Sequence, residues 1–261
     1  MKHVLTIQDF SCVGRCSLTV ALPVLSAMGI RTSALPTAVL STHTAFENPE
    51  IADLTGKLLD FSNHWKQNGI TFDAISVGYL ADPRQANIVS RILDDFGGFT
   101  VLDPVMGDNG KLYSRISEAH IDALRSLCAK ADVVLPNLTE AAALTGLPYQ
   151  ERVDEAYLKA LTAGLLDLGA KNAVITGLRR FENTIGYYCS GGATYQGELI
   201  HKHFHGTGDL FAAVFLGSMM NGMDLTDAAK NAEQFVRRCI AGTKESTPHG
   251  VEFERFLSFL M

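Results

Sequence analysis

The feature that most restricts this chain is a repeated switch in hydrophobic period. Apolar runs of strand length lie at residues 3–8, 33–40, 74–79, 100–103, 133–135 and 173–176. Helix-length amphipathic stretches lie between them, at 16–28, 51–68, 84–96, 117–129 and 154–168. Strand, helix and strand in succession predict βαβ units, and hence a mostly parallel sheet with helices on both faces. The pattern changes at 185–190 and 193–200, two strand-like runs around Gly191-Gly192. Such a pair predicts a tight two-residue hairpin and an antiparallel edge. Further helices are expected at 226–242 and 253–260. The reading is one α/β domain over 1–261, a three-layer α/β/α sandwich whose mostly parallel sheet ends in an antiparallel edge hairpin.

Composition narrows the partners. At 261 residues and 47% hydrophobic content the chain can bury a large core. A net charge of −6 gives no field for a phosphate backbone, so nucleic acid is not expected as a partner. No apolar run approaches the roughly 20 residues of a membrane span. The first apolar run is short and ends at Gln8 and Asp9, which reads as a strand and not a signal peptide. Five scattered cysteines, Cys12, Cys16, Cys128, Cys189 and Cys239, read as reduced thiols and not as a disulfide framework. Cytoplasmic location follows as the expectation, and the Asn137-Leu138-Thr139 sequon then has no use.

In folds of this class ligands bind beyond the carboxyl ends of the parallel strands. Those ends carry Gln8-Asp9, Ser41-Thr42-His43-Thr44, Gly78-Tyr79, Asp103-Pro104-Val105-Met106-Gly107-Asp108, Pro136-Asn137-Leu138-Thr139-Glu140 and Thr176-Gly177. Each has a plain structural reading as well. Asp103 before proline suits a turn, and Asn137 with Glu140 has the spacing of a capping box. Thr176 can satisfy backbone groups, His43 can be a loop residue and Tyr79 a core residue. The functional reading is a rim of carboxylates, an amide and hydroxyls able to hold hydrated cations and phosphates. The Walker loop, the dinucleotide glycine fingerprint and the HExxH zinc motif are all missing.

The stretch HGTGDLFAAVF, from His205 to Phe215, adds a phosphate-sized question. Gly206 and Gly208 free the backbone around Thr207, and Asp209 falls in the first turn of an apolar helix. Alone, this reads as Thr207 or Asp209 capping the helix. With the other rim motifs it reads as an anion hole, with unpaired helix N–H groups meeting a transferring phosphoryl group and Asp209 orienting the acceptor. The helix start would keep Asp209 ionised.

Taken in order, these motifs resemble the ribokinase-like superfamily, and within it the vitamin B6 (pyridoxal/pyridoxamine) kinases. The resemblance rests on Ile7-Gln8, Ser41-x-His43-Thr44, Gly78-Tyr79, Asp103 to Asp108, Pro136 to Glu140, Val174-Ile175-Thr176 and Gly206 to Asp209, over nearly the whole chain. It implies ATP-dependent phosphorylation of the 5′-hydroxymethyl group of pyridoxal, pyridoxine or pyridoxamine by a homodimer. Asp209 would be the base, with Gly206, Thr207 and Gly208 as the anion hole. Asp9, Cys16, His43, Thr44 and Tyr79 would line the vitamin, and Asp108, Asn137, Glu140, Thr176 and Thr207 would meet ATP. Asp103, Asp108 and Glu140 would hold Mg²⁺, and a monovalent cation such as K⁺ would lie near Thr176. Many members have serine where this chain has Asp9, so Asp9 is expected to read the pyridine edge or a cationic amine. The rival readings are a hydroxymethylpyrimidine (phosphate) kinase, a sugar kinase and a silent sensor on the same fold. The first often has cysteine in place of the last aspartate and a glycine-rich first strand end, neither of which this chain shows.

Overall fold

The computed structural model describes residues 1–244 and 248–261. Its centre is a six-stranded sheet in the order β3-β2-β1-β4-β5-β8. The strands are β1 His3–Ser11, β2 Arg31–Leu40, β3 Ile51–Asp53, β4 Ala74–Val77, β5 Phe99–Leu102 and β8 Val133–Val134. All neighbours pair in parallel except β3, which runs antiparallel to β2. Single parallel bridges, Val134 to Ala173 and Asn137 to Thr176, carry the sheet on to β9 Val174–Leu178. Beyond it lie the antiparallel strands β10 Thr184–Cys189 and β11 Thr194–Glu198.

Adjacent residues of the central strands face opposite layers, as the period of two requires. Leu5, Ile75, Leu102, Val134 and Ile175 join one core cluster. Their chain neighbours Val4, Ala74, Val101, Val133 and Val174 join the other. Strands apolar on both faces are what a parallel sheet covered twice demands. The first layer holds α2 Leu58–Gln67, α3 Arg84–Phe96, α4 Glu118–Cys128, α5 Leu138–Thr145 and α6 Glu155–Asp167. The second holds α1 Leu18–Ala27, α7 Thr207–Met220 and α8 Leu225–Gly242. Every residue of α7 from Leu210 to Ser218 is buried, so the helix is apolar all round and is clamped between neighbours.

The structure corrects four local expectations. The helix expected at 51–68 is split into β3, a 3₁₀ turn at Thr55–Lys57 and α2, because Ile51 to Asp53 add to the edge of β2. Antiparallel strands therefore flank the sheet at both ends. The Gly191-Gly192 hairpin has a three-residue loop and not a two-residue one, since Tyr188 pairs with Thr194 and the Cys189 N–H reaches Ala193 O. Both glycines have positive φ, 98° and 95°. A small hairpin, β6 Gly107–Asp108 with β7 Lys111–Leu112, was not foreseen. Its turn is Asn109-Gly110 with φ of 51° and 76°, the Asn-Gly sequence that a two-residue hairpin favours. Finally, residues Glu254–Leu260 form a 3₁₀ and not an α-helix.

Strand order fixes where a ligand can enter. The chain runs from β1 outward to β2 and then returns to the other side of β1 with β4. That reversal opens a crevice at the carboxyl ends of β1 and β4, the switch point at which ligands bind in such sheets. Gln8, Asp9, Gly78 and Tyr79 stand there. A Cβ at Gly78 would lie 2.5 Å from the Gln8 amide oxygen, so a larger residue there would displace that side chain. The rigidity of the platform rests on the clamped helix α7. Replacing the fully buried Phe215 by alanine is expected to lower unfolding free energy by about 3–5 kcal/mol, measured by denaturant melts, because the surrounding layers cannot collapse into the gap.

Candidate active site

The start of α7 is open. Gly206 takes a left-handed conformation with φ of 81°, and no side chain caps the helix. The Leu210 N–H bonds back to Gly206 O at 3.0 Å. The N–H groups of Thr207, Gly208 and Asp209 precede the first helical bond and have no partner within the helix. This corrects the reading in which Thr207 or Asp209 caps it. Gly206 also lies flat on the loop after β1, where a Cβ would come within 1.9 Å of the Arg15 carbonyl oxygen. Next to it, a Cβ on Gly208 would meet nothing within 4 Å. The result is a cluster of backbone donors facing open space, the form of an anion site.

Asp209 stands at the edge of this cluster. Burial lifts its carboxyl to about 6; the Ser17 N–H opposes the rise and the Asp9 charge adds to it. The helix start therefore does not hold Asp209 as a strong acid, and desolvation wins. Asp9 is 4% exposed. Its Oδ1 accepts from the Ser17 hydroxyl and its Oδ2 from the Ser11 hydroxyl at 3.0 Å. Burial raises its pKa, and the two hydroxyls work against that rise. Burial, together with the Asp209 and Asp9 charges, pushes the pKa of the Cys16 thiol up. It is therefore a protonated wall residue and not a nucleophile.

On the other side of Asp209 stand Asp103 and Glu140. Glu140 is 3% exposed and belongs to a complete capping box with Asn137. Its Oε1 accepts the Met106 N–H at 3.0 Å and its Oε2 the Asn137 N–H at 2.8 Å. The Asn137 Oδ1 accepts the Glu140 N–H at 3.0 Å, while its amide donates to Gly107 O at 2.7 Å. The box thus ties α5 to the β6–β7 flap. Burial raises Glu140 to about 8 against these N–H groups. Asp103 is raised by burial and then by the Glu140 and Asp209 charges. Its carboxyl accepts no hydrogen bond among the described residues, so its oxygens are open to a cation. Asp108 is exposed at the flap and accepts from Asn109.

These are hard oxygen donors, which suit Mg²⁺. No three His, Cys, Asp or Glu side chains among the described residues converge on one ion. Mg²⁺ does not require such a cluster, since it keeps several waters and takes one or two carboxylates together with phosphates. The open Asp103 suits direct contact, whereas both Glu140 oxygens are engaged by backbone N–H groups.

The remaining residues fall on two sides. Thr176 is half-buried beside Asn137 across the β8–β9 seam, with its N–H on Pro136 O at 2.9 Å. Tyr79 lies at the switch point; burial and then the Asp9 charge raise its phenol, with Arg115 opposing. His43 is 5% exposed, and both ring nitrogens are used: Nε2 at 2.8 Å from Pro248 O, and Nδ1 accepting the Ala45 N–H at 3.2 Å. Only its ring can face a ligand, and its Cδ2 would lie 2.0 Å from a Cβ on Gly14. Thr44 is exposed in the following turn. Sequence reading missed Ser11 and Ser17, since serines in a loop carry no signature. It also missed Tyr113, whose phenol is raised by burial and by the Glu140, Asp108, Asp209 and Asp103 charges. The Asn109-Gly110 turn that brings Tyr113 there was legible. Asn137→Ala is expected to lower thermal stability by about 1–2 kcal/mol through the lost cap, and more if the flap detaches, measured by calorimetry.

The chain matches the family model described as phosphomethylpyrimidine kinase over residues 22–252. A Bacteroides thetaiotaomicron protein, provisionally named a phosphomethylpyrimidine kinase and crystallised with pyridoxal, superposes with a TM-score of 0.94. It is 36% identical, with 99% of this chain and 95% of that chain covered. The pyridoxal kinase of Lactobacillus plantarum superposes with a TM-score of 0.91 at 34% identity, covering 100% and 96%. In sequence, the pyridoxal kinase of Dictyostelium discoideum is 27% identical over 95% of this chain and 90% of its own length. No helix among the described residues is long and apolar enough to cross a membrane. By the family match and by these likenesses over nearly its full length, the chain belongs to the phosphomethylpyrimidine kinase family and shares the ribokinase-like fold of the pyridoxal kinases.

Proposed function

We propose that the chain is a pyridoxal kinase, which transfers the γ-phosphoryl group of ATP to the 5′-hydroxymethyl group of a B6 vitamer. The observation that carries this reading is the uncapped start of α7, with Asp209 in its first turn and Asp9 across the crevice. The acceptor oxygen forms a bond to the γ-phosphorus as the bond to the ADP oxygen breaks, and its proton passes to Asp209. The N–H groups at Thr207, Gly208 and Asp209 meet the charge on the transferring group. Asp103, with Asp108 and with Glu140 beside it, would hold Mg²⁺, which when bound would neutralise charge on the ATP phosphates. Asn137 and Thr176 border the nucleotide, with K⁺ beside Thr176. Asp9, Cys16, His43, Thr44 and Tyr79 border the vitamin, with Asp9 at the ring's polar edge.

A pyrimidine acceptor is the second reading, since the family model carries that name. Asp209, where those kinases often have cysteine, and the acidic first strand end favour the vitamin. Rates with pyridoxal, pyridoxamine and hydroxymethylpyrimidine measured side by side decide between them; pyrimidine turnover well above both vitamers would overturn the assignment.

Asp209→Asn is expected to cut kcat about 100-fold or more while vitamer and ATP binding persist, read by steady-state kinetics and calorimetry. The same substitution has a signed effect on stability. A carboxyl raised to about 6 when folded disfavours the fold above pH 6 and ceases to do so below its unfolded value near 4. The variant should therefore melt at or above the parent temperature at pH 7.5, with the gap closing toward pH 4. For the parent, kcat/KM should fall about tenfold per pH unit below pH 6, because Asp209 must be ionised to take the proton.

A further inference from the structure

Ser17 occupies the N-cap position of α1 but does not cap it. Serine is among the best N-caps, and its hydroxyl normally accepts a helix N–H. Here the hydroxyl turns away and donates to Asp9 Oδ1. The backbone takes φ 48° and ψ −126°, far from the small left-handed region that non-glycine residues tolerate. Such strain persists only where the surroundings over-determine it. The surroundings are plain: Ser17 is 6% exposed and its carbonyl accepts the Val20 and Ala21 N–H groups. The loop before it is pinned on α7 where Arg15 O meets Gly206, and Arg15 N–H bonds to His249 O at 2.8 Å.

We propose that Ser17 is a positioning residue for the transfer: its strained backbone turns its hydroxyl onto Asp9 and so fixes the orientation of the group that reads the acceptor. This rests on the kinase reading above. Ser11 holds the other Asp9 oxygen, so Asp9 is fixed from two sides. Without the Ser17 hydroxyl, Asp9 would keep its place in β1 but lose its orientation.

Glycine adopts this backbone conformation without strain, so Ser17→Gly removes the hydroxyl alone. The variant should melt no lower than the parent. Its kcat/KM for the B6 vitamer should fall about tenfold, the scale of one hydrogen bond to a charged group, with the loss in acceptor KM and with the KM for ATP unchanged. Asp9→Asn should lower the same constant, and the double variant Ser17→Gly/Asp9→Asn should match Asp9→Asn alone, because the hydroxyl acts through Asp9. Vitamer kinetics within twofold of the parent for Ser17→Gly, equal losses toward ATP and vitamer, or additive effects in the double variant would each overturn the proposal and leave the kinase reading standing. A parent chain that phosphorylates no vitamer would overturn both.

Discussion

The desolvation of four carboxylates gathered at one rim of the sheet is the constraint that the rest of the site answers to. Asp9 and Asp103 come from two strand ends and Glu140 and Asp209 from two helix starts, and each is raised in pKa with burial as the leading cause. No lysine or arginine forms an ion pair with any of them among the described residues. What stabilises them is local: two serine hydroxyls on Asp9, backbone N–H groups on Glu140, and the Ser17 N–H at Asp209. An arrangement of this kind is unfavourable by itself and needs a stiff support. The doubly covered sheet and the fully buried α7 provide one. It also explains why cations and a phosphate ester would enter together: the cation lowers the repulsion that the phosphate alone would increase.

Much of the fold was legible because periodicity survives in a single sequence. The alternation of strand and helix, the parallel sheet and the edge hairpin all follow from it. What failed did so for identifiable reasons. Residues 51–53 read as helix because a three-residue edge strand is too short to show a period of two. The Gly191-Gly192 loop gained a residue because the turn length depends on which pair closes the ladder, Cys189 with Ala193, and that is a tertiary matter.

The candidate site was legible in part. Charged residues at strand ends announce themselves, and their order along the chain brought out the family resemblance. Their electrostatic state did not: the helix start promised an ionised Asp209, but desolvation depends on everything packed around the carboxyl. The Asn137–Glu140 spacing told the truth about the capping box and left open what else the box holds. Only coordinates show that Asn137 also grips the Gly107 carbonyl, which joins the cap to the flap. Ser17 carried no sequence signal, since its backbone angles cannot be read from its letter.

The switch point in the sheet divides the crevice by ancestry in the chain. In the proposed assignment the wall toward the vitamin would come from the ends of β1, β2 and β4, and the phosphate wall from β5, β8, β9 and α7. Most side chains on the first wall lie on elements other than those of the second, so acceptor choice can drift with little change to the transfer machinery, except through the Asp9 charge that reaches Asp209. Asp9 in place of serine is a change on the first wall. The short loop from Gly14 to Ser17, laid across Gly206, joins the two walls. Altered acceptor preference in relatives with this architecture should therefore be sought in the first wall and in that loop, and a new chemistry only in the second.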